Sequence, residues 1–125
     1  MSAAENKALI RSYLGAISGN AKPRNLLDRF IDDADAILKQ HIAGAEAAFP
    51  HYEMLAEDLI AEDDRVVVRF KIRGTHQGDF MGIPATGRPI DVPGIIIYRI
   101  ADGRIVEHWM ETDAMSMMQQ LGVQG

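Results

Sequence analysis

The hydrophobic period of this chain changes once, at Pro50, and that change limits the class of fold that the chain can adopt. Before Pro50 the apolar residues recur every three or four positions, which is typical of one face of a helix. This pattern predicts helices over residues 4–18 and 34–49, with a short helix that begins at Pro23 between them. After Pro50 the apolar residues alternate with polar ones or are β-branched, which is typical of strands.

The second half of the chain predicts four strands and a final short helix. The strands cover residues 52–61, 65–76, 89–100 and 104–112, and the helix runs from Ala114 to Leu121. The pair Asp102-Gly103 is a strong hairpin sequence, and Asp63-Asp64 is a second turn signal. Helices first and antiparallel strands afterwards predict one α+β domain over residues 1–125, in which the helices pack on one face of a curved sheet.

The alternation within the central strands indicates what covers each face of the sheet. In strand 65–76 the apolar residues face one way, and Arg69, Lys71 and Arg73 face the other. We interpret this basic side as a solvated face, paired with acids such as Asp58 or Glu57. Strand 89–100 has apolar residues on both of its faces, so we expect helices to cover one face and a second subunit to cover the other.

The composition excludes several kinds of partner. A net charge of -5 argues against nucleic acid or an anionic membrane, because both need a basic surface. Cysteine is absent, and the four histidines show no H-x-x-x-H or similar ligand spacing, so we expect no metal. No phosphate loop or dinucleotide fingerprint is present either. The N-terminus lacks the pattern of a signal peptide, and no apolar run is long enough to span a bilayer. We therefore expect a cytoplasmic protein.

Two histidines have both a structural and a functional interpretation. The alternation places His76 on the apolar side of its strand, at the strand end. It is either a core or rim histidine, or an acid–base or hydrogen-bonding group on a cavity wall. His41 lies on an apolar helical stripe. It is most simply a core histidine, although that stripe could border a pocket.

The last two strands carry three more candidates. Tyr98 is either a ligand contact or a packed aromatic residue with a polar tip. Trp109 and Asp113 are four residues apart and point the same way, together with Ile105, whereas His108 points oppositely. Asp113 immediately precedes an apolar helix, where aspartate is a favoured N-cap. Alternatively, a tryptophan beside it could raise the pKa of its carboxyl by desolvation and make it a base.

Several motifs of the second half resemble the SnoaL-like polyketide cyclase family. They are the segment Gly74 to Arg88, the segment Asp102 to Trp109, Asp113, and the closing Gln119 to Gly122. The resemblance implies the cone-shaped α+β fold of the nuclear transport factor two superfamily, with an apolar cavity open at one end and dimers formed through the outer sheet face. Family members usually have a strand after the second helix. Here residues 30–38 run straight into the third helix, so we predict that this strand is shortened or missing.

The resemblance also implies an activity: a cofactor-free intramolecular aldol ring closure of a polyketide ester. It assigns Asp113 as the acid–base group and His76 and Tyr98 as hydrogen-bond donors to the developing oxyanion. The ligand would be a small apolar or aromatic molecule, held by flat apolar side chains and bordered by His41; these side chains are Trp109, Phe70 and Phe80. Two other hypotheses remain open, namely a non-catalytic binder of small apolar ligands and a related isomerase or dehydratase.

Overall fold

The computed structural model describes residues 2–123 and contains every element that the sequence predicts, with ends close to the predicted ones. The helices are α1 (Ala3–Ile17), α2 (Arg24–Phe30), α3 (Ala36–Ala48) and α4 (Ala114–Gln120), and a 3-10 turn (Asp33–Asp35) precedes α3. The strands are β1 (Glu53–Glu62), β2 (Arg65–Thr75), β3 (Pro89–Ala101) and β4 (Arg104–Thr112). Within the described part of the chain, no helix is both long enough and apolar enough to cross a membrane.

The four strands form one open antiparallel sheet in the order β1-β2-β3-β4. Asp102 and Gly103 join β3 to β4 with φ angles of 52° and 73°, as a two-residue hairpin turn requires. The alternation predicted for β2 is confirmed, because Val66, Val68 and Phe70 are fully buried on the inner face. On the outer face, Arg69 pairs with acids of β1, as predicted.

The helices cover the inner face of the sheet and close the core. Helix α1 begins with a capping box between Ser2 and Glu5 and buries one stripe that includes Tyr13. The rings of Tyr13 and Tyr98 meet edge to face, with centroids 5.8 Å apart. Aromatic contacts of this kind join α1 to the middle of β3.

A β-bulge in β4 corrects one predicted orientation. Arg99 pairs with Glu107 and Ile100 pairs with Ile105, so Val106 is an extra residue in β4. The prediction that Ile105 shares a side with Trp109 is therefore wrong. Ile105 is buried in the core, on the inner face that also carries His108.

The shortened first strand is confirmed. It consists of one parallel bridge between Ile31 and Ile105, in which the amide of Asp32 donates to the Ile105 carbonyl at 2.8 Å. The Arg104 guanidinium supports this junction by donating to the carbonyls of Asp28 (2.9 Å) and Ile31 (3.1 Å). The chain then enters the 3-10 turn, which packs against β4 in place of a longer strand.

Candidate functional site

An open cavity of about 560 Å³ lies between α3, the inner face of the sheet, the loop of residues 76–88 and α4. This volume is within the usual range for small-molecule sites. The wall is mostly apolar and is lined by Gln40, His41, Gly44, Ala45, Phe49, Tyr52, Ile72, Asp79, Phe80, Met81, Met110, Thr112, Ala114, Met117 and Met118.

Methionines supply much of the apolar wall. Met110 comes from β4, Met117 and Met118 from α4, and Met81 from the tip of the 76–88 loop. A methionine side chain is unbranched and flexible, so it can fill gaps of irregular shape. The shape of this wall is therefore adaptable.

A smaller pocket of about 70 Å³, which we call the inner pocket, is lined by Tyr13 and Tyr98 and shares five lining residues with the cavity, among them His41 and Met110. Burial raises the pKa of both phenols well above the usual range. Their hydroxyl groups therefore stay protonated at neutral pH and can donate hydrogen bonds. Tyr98 combines the two interpretations of its sequence position, because its ring packs on Tyr13 and also lines the inner pocket.

His41 lies on the cavity wall rather than in the core. It projects from α3, is exposed, and lines both the open cavity and the inner pocket. Phe80 also lines the cavity, with its ring centroid 5.3 Å from that of Phe49. The structure therefore places Phe80 and Tyr98 in two adjacent pockets, and His41 lines both of them.

His76 is fully buried and holds the 76–88 loop together. The amide of Thr86 donates to its Nδ1 at 3.2 Å, and the Thr86 hydroxyl lies 3.0 Å from the same atom. Because a backbone amide can only donate, Nδ1 carries no proton, and a neutral ring carries it on Nε2. That nitrogen is buried without a partner among residues 2–123. This geometry favours the structural interpretation of His76 over the catalytic one.

Asp113 is the N-cap of α4. Its Oδ1 accepts from the amide of Ser116 at 2.9 Å, and the residue is exposed. Thr112 and Ala114 line the cavity on either side of it, but the Asp113 side chain does not. The geometry therefore favours capping, and an acid–base role for this carboxylate stays a prediction.

The other two aromatic candidates lie outside the cavity wall. Trp109 is 42% exposed on the outer face of the sheet, where the Arg65 guanidinium lies 5.0 Å from its ring centroid. Phe70 is fully buried in the core and packs against Gly94. The alternation had separated Trp109 from His108, but it could not tell which of the two faces inward.

A pair that the sequence did not indicate lies beside the cavity. Nδ1 of His108 is 2.7 Å from Oδ2 of Asp35, and the two side chains are 9% and 6% exposed. The His108 ring also meets the ring of His41 edge to face, with centroids 6.0 Å apart. Asp35, His108 and His41 thus form a line of polar groups that ends at the cavity wall.

Three comparisons with known proteins are consistent with this architecture. The family model for SnoaL-like polyketide cyclases matches residues 28–121. Aklanonic acid methyl ester cyclase DnrD of Streptomyces peucetius is 37% identical over 68 residues, which are 53% of this chain and 47% of DnrD. The match thus spans about half the length of that relative.

Two solved structures are similar over nearly the whole chain. TsrD of Streptomyces laurentii has a TM-score of 0.85 at 26% identity, with 99% of each chain covered. AclR of Streptomyces galilaeus, which is provisionally assigned as a hydroxylase, has a TM-score of 0.83 at 28% identity. The match covers 97% of this chain and 83% of the AclR chain.

Proposed function

We propose that this chain, which belongs to the SnoaL-like polyketide cyclase family, closes a ring in a polyketide-like substrate by an intramolecular aldol reaction. The observation that carries the proposal is the mostly apolar cavity of about 560 Å³, with a few polar side chains in its wall and the buried phenols of Tyr13 and Tyr98 in the adjacent inner pocket. Flat side chains such as Phe80 and the adaptable methionines suit a planar, mostly apolar ligand.

The chemistry needs only acid–base groups and hydrogen-bond donors. A base removes a proton from a carbon between two carbonyl groups, and the enolate carbon attacks a third carbonyl of the same molecule. The proton then returns to the new alkoxide, so the product is an isomer of the substrate. The enolate charge is spread over the conjugated carbonyls, so no cofactor is required for the reaction. The buried hydroxyl of Tyr98 is a suitable donor to the oxyanion that develops.

A cavity-filling variant provides the test. Gly44 lies on α3 in the cavity wall, and nothing lies within 4 Å of the position that a Cβ would take. Gly15 on α1 has the same open surroundings and does not line the cavity, so Gly15→Leu is a matched control. The substrates to be offered are aromatic β-polyketone methyl esters, including aklanonic acid methyl ester, the compound in the name of the similar cyclase. Product is followed by chromatography, because ring closure leaves the mass unchanged.

We expect turnover by the wild-type protein and by Gly15→Leu, and a loss of about tenfold or more in Gly44→Leu. Ligand-dependent shifts in melting temperature that disappear in Gly44→Leu, without any product, would instead support the alternative of a non-catalytic binder. If neither turnover nor binding depends on Gly44, the cavity is not the functional site.

We also propose a homodimer that forms through the outer face of the sheet. One residue of each strand lies in a row across that face, in the register Ile60–Val67–Ile97–Trp109. Ile60 and Trp109 at the two ends of this row are 63% and 42% exposed, and Ile95 beside it is 49% exposed. We call these five residues the outer apolar patch.

The charges around the outer apolar patch support a second copy of this chain as its occupant. On one side Arg99 donates to Glu107 at 2.8 Å, and on the other Arg69 donates to Asp58 at 2.7 Å. Both borders therefore carry charges of both signs, so a copy related by a twofold axis can place opposite charges against each other along either border. The cytoplasmic location and the lack of a nucleic-acid partner stay predictions from the sequence.

A further inference from the structure

We propose that the Asp35–His108 pair supplies the base for the ring closure, an inference that rests on the proposed function. In this assignment Nε2 of His108 accepts the substrate proton. Asp35 is a positioning residue that acts through His108 by fixing which ring nitrogen carries the proton.

The hydrogen bond between the two side chains determines the tautomer. Oδ2 of Asp35 is 2.7 Å from Nδ1 of His108. An ionised carboxylate can only accept, so Nδ1 is the nitrogen that carries the proton. In a neutral imidazole, Nε2 then presents a lone pair and can act as a base.

Asp35 is itself held in place from a second direction. Its other oxygen, Oδ1, accepts from the amide of Leu38 at 3.2 Å and caps the first turn of α3. One carboxylate oxygen thus fixes the start of a helix while the other fixes the histidine ring. The short bridge of Ile31 to Ile105 allows this arrangement, because the chain turns into the 3-10 segment immediately afterwards and brings Asp35 against β4.

The position of His108 places it beside the ligand space. It lies on the inward face of β4, two residues before Met110, which lines both the cavity and its inner pocket. Its neighbour across the sheet is Tyr98, the proposed oxyanion donor. No residue among 2–123 hydrogen-bonds to Nε2 of His108, and this nitrogen is not among the fully buried atoms that lack a partner, so it is free to accept a hydrogen bond.

The other ionisable candidates are less suited to remove a proton. Nδ1 of His76 is occupied by Thr86, and its Nε2 carries a proton and is buried. The Asp113 carboxylate caps α4, and its side chain does not line the cavity. Asp79 lines the cavity, but it is exposed, so its carboxylate is hydrated. His41 lines the wall, but no carboxylate among residues 2–123 pairs with its ring, so nothing fixes which of its nitrogens carries the proton.

The proposed step balances without a further reactant. The substrate C–H bond breaks, its electrons remain in the enolate, and the proton moves to Nε2 of His108. The enolate carbon forms the new C–C bond, and the resulting alkoxide takes the proton back from Nε2. The negative charge of Asp35 stabilises the imidazolium between the two transfers.

Asp35→Asn is the sharpest test, because it keeps the shape and reverses the hydrogen bond. The side-chain oxygen of asparagine can still cap Leu38, whereas its NH₂ group donates to Nδ1 of His108 and moves the ring proton to Nε2. We expect turnover to fall about 100-fold or more, while the affinity for an unreactive substrate analogue stays within about twofold. The matched control is Asp33→Asn. This variant also removes one carboxylate charge, but it does so two residues away from Asp35, at an exposed side chain that pairs with Lys39.

The tautomer is measured directly by long-range ¹H–¹⁵N NMR of the His108 ring, independently of any substrate. The proton is expected on Nδ1 in the wild-type protein and in Asp33→Asn, and on Nε2 in Asp35→Asn. A wild-type ring with its proton on Nε2 would overturn the inference.

The kinetic outcomes separate this inference from the proposed function. A wild-type protein that converts the polyketone esters, with Asp35→Asn and His108→Gln equally active, overturns the role of the pair and leaves the function in place. Loss of activity in Asp79→Asn, with Asp35→Asn unaffected, assigns the base to Asp79 instead. A wild-type protein that converts none of the esters overturns both proposals.

Discussion

The backbone of Gly78 lies directly against that of Ala47 in the last turn of α3. A Cβ atom at position 78 would be 2.2 Å from the carbonyl oxygen of Ala47, and the neighbouring Ala48 carbonyl accepts from the amides of Gln77 (2.9 Å) and Gly78 (3.1 Å). Only glycine allows this close approach, which fixes the start of the 76–88 loop over the cavity.

Gly78→Ala is therefore expected to displace the loop from α3. We expect a loss of about 1–3 kcal/mol in the free energy of unfolding, as for other overpacked sites, and faster amide hydrogen exchange in residues 79–86. Urea unfolding and exchange mass spectrometry measure the two effects. The control is Gly15→Ala in α1, where the space is open and alanine should raise stability by up to about 1 kcal/mol. Unchanged exchange in the loop of Gly78→Ala would contradict this account.

Two substitutions at Asp113 distinguish a capping role from a catalytic one. Asparagine caps a helix about as well as aspartate, whereas alanine does not. If Asp113 only caps α4, Asp113→Asn keeps both turnover and stability, and Asp113→Ala loses about 1 kcal/mol of stability. Thermal unfolding and turnover of an accepted ester, measured on both variants, decide the question. A large loss of turnover in Asp113→Asn at unchanged stability would restore the acid–base role that the family resemblance implies.

The fold was predictable because its signals are local. The change of period at Pro50 separates helices from strands, and the Asp102-Gly103 pair provides the positive φ angles of the β3–β4 turn. The alternation in β2 placed Val66, Val68 and Phe70 on one face because each strand residue points opposite to the next.

The site was less predictable because it depends on contacts that no local pattern encodes. Asp35 and His108 are 73 residues apart, and Asp35 looks like an ordinary residue at a helix start. The extra residue Val106 reverses the orientation of Ile105 relative to the residues that follow it. Alternation also shows only that neighbouring residues lie on opposite faces of the sheet, and not which face is the inner one. It therefore could not show that Trp109 lies on the outer face.

All three tyrosines of the chain are buried beside the cavity, which predicts an unusual alkaline titration. Burial raises the pKa of Tyr13, Tyr52 and Tyr98 above the usual value of about 10. The folded protein therefore holds phenolic protons that the unfolded chain releases. This contribution to stability is fully present below pH ~10 and declines as the pH rises above it.

We expect no tyrosinate absorbance near 295 nm while the protein stays folded, followed by one cooperative rise when it unfolds in alkali. Far-ultraviolet circular dichroism, recorded in parallel, should change at the same pH. A gradual absorbance rise near pH 10 with the circular dichroism unchanged would show that at least one phenol is accessible in the folded state.

The outer apolar patch predicts that the protein associates through its sheet and that Trp109 reports the association. Trp109 is the only tryptophan, and it is 42% exposed in the isolated chain. A dimer would bury Trp109, so its fluorescence emission should shift to longer wavelength on dilution, as the mass measured by analytical ultracentrifugation falls to that of a monomer.

A charge placed within the outer apolar patch tests the interface. The variant Ile95→Lys should be a monomer at all concentrations. Ile37→Lys is the matched control, because Ile37 is similarly exposed (60%) but lies on α3. A protein that is monomeric at high concentration would rule out this interface. A dimer that survives Ile95→Lys but dissociates in Ile37→Lys would place the interface elsewhere.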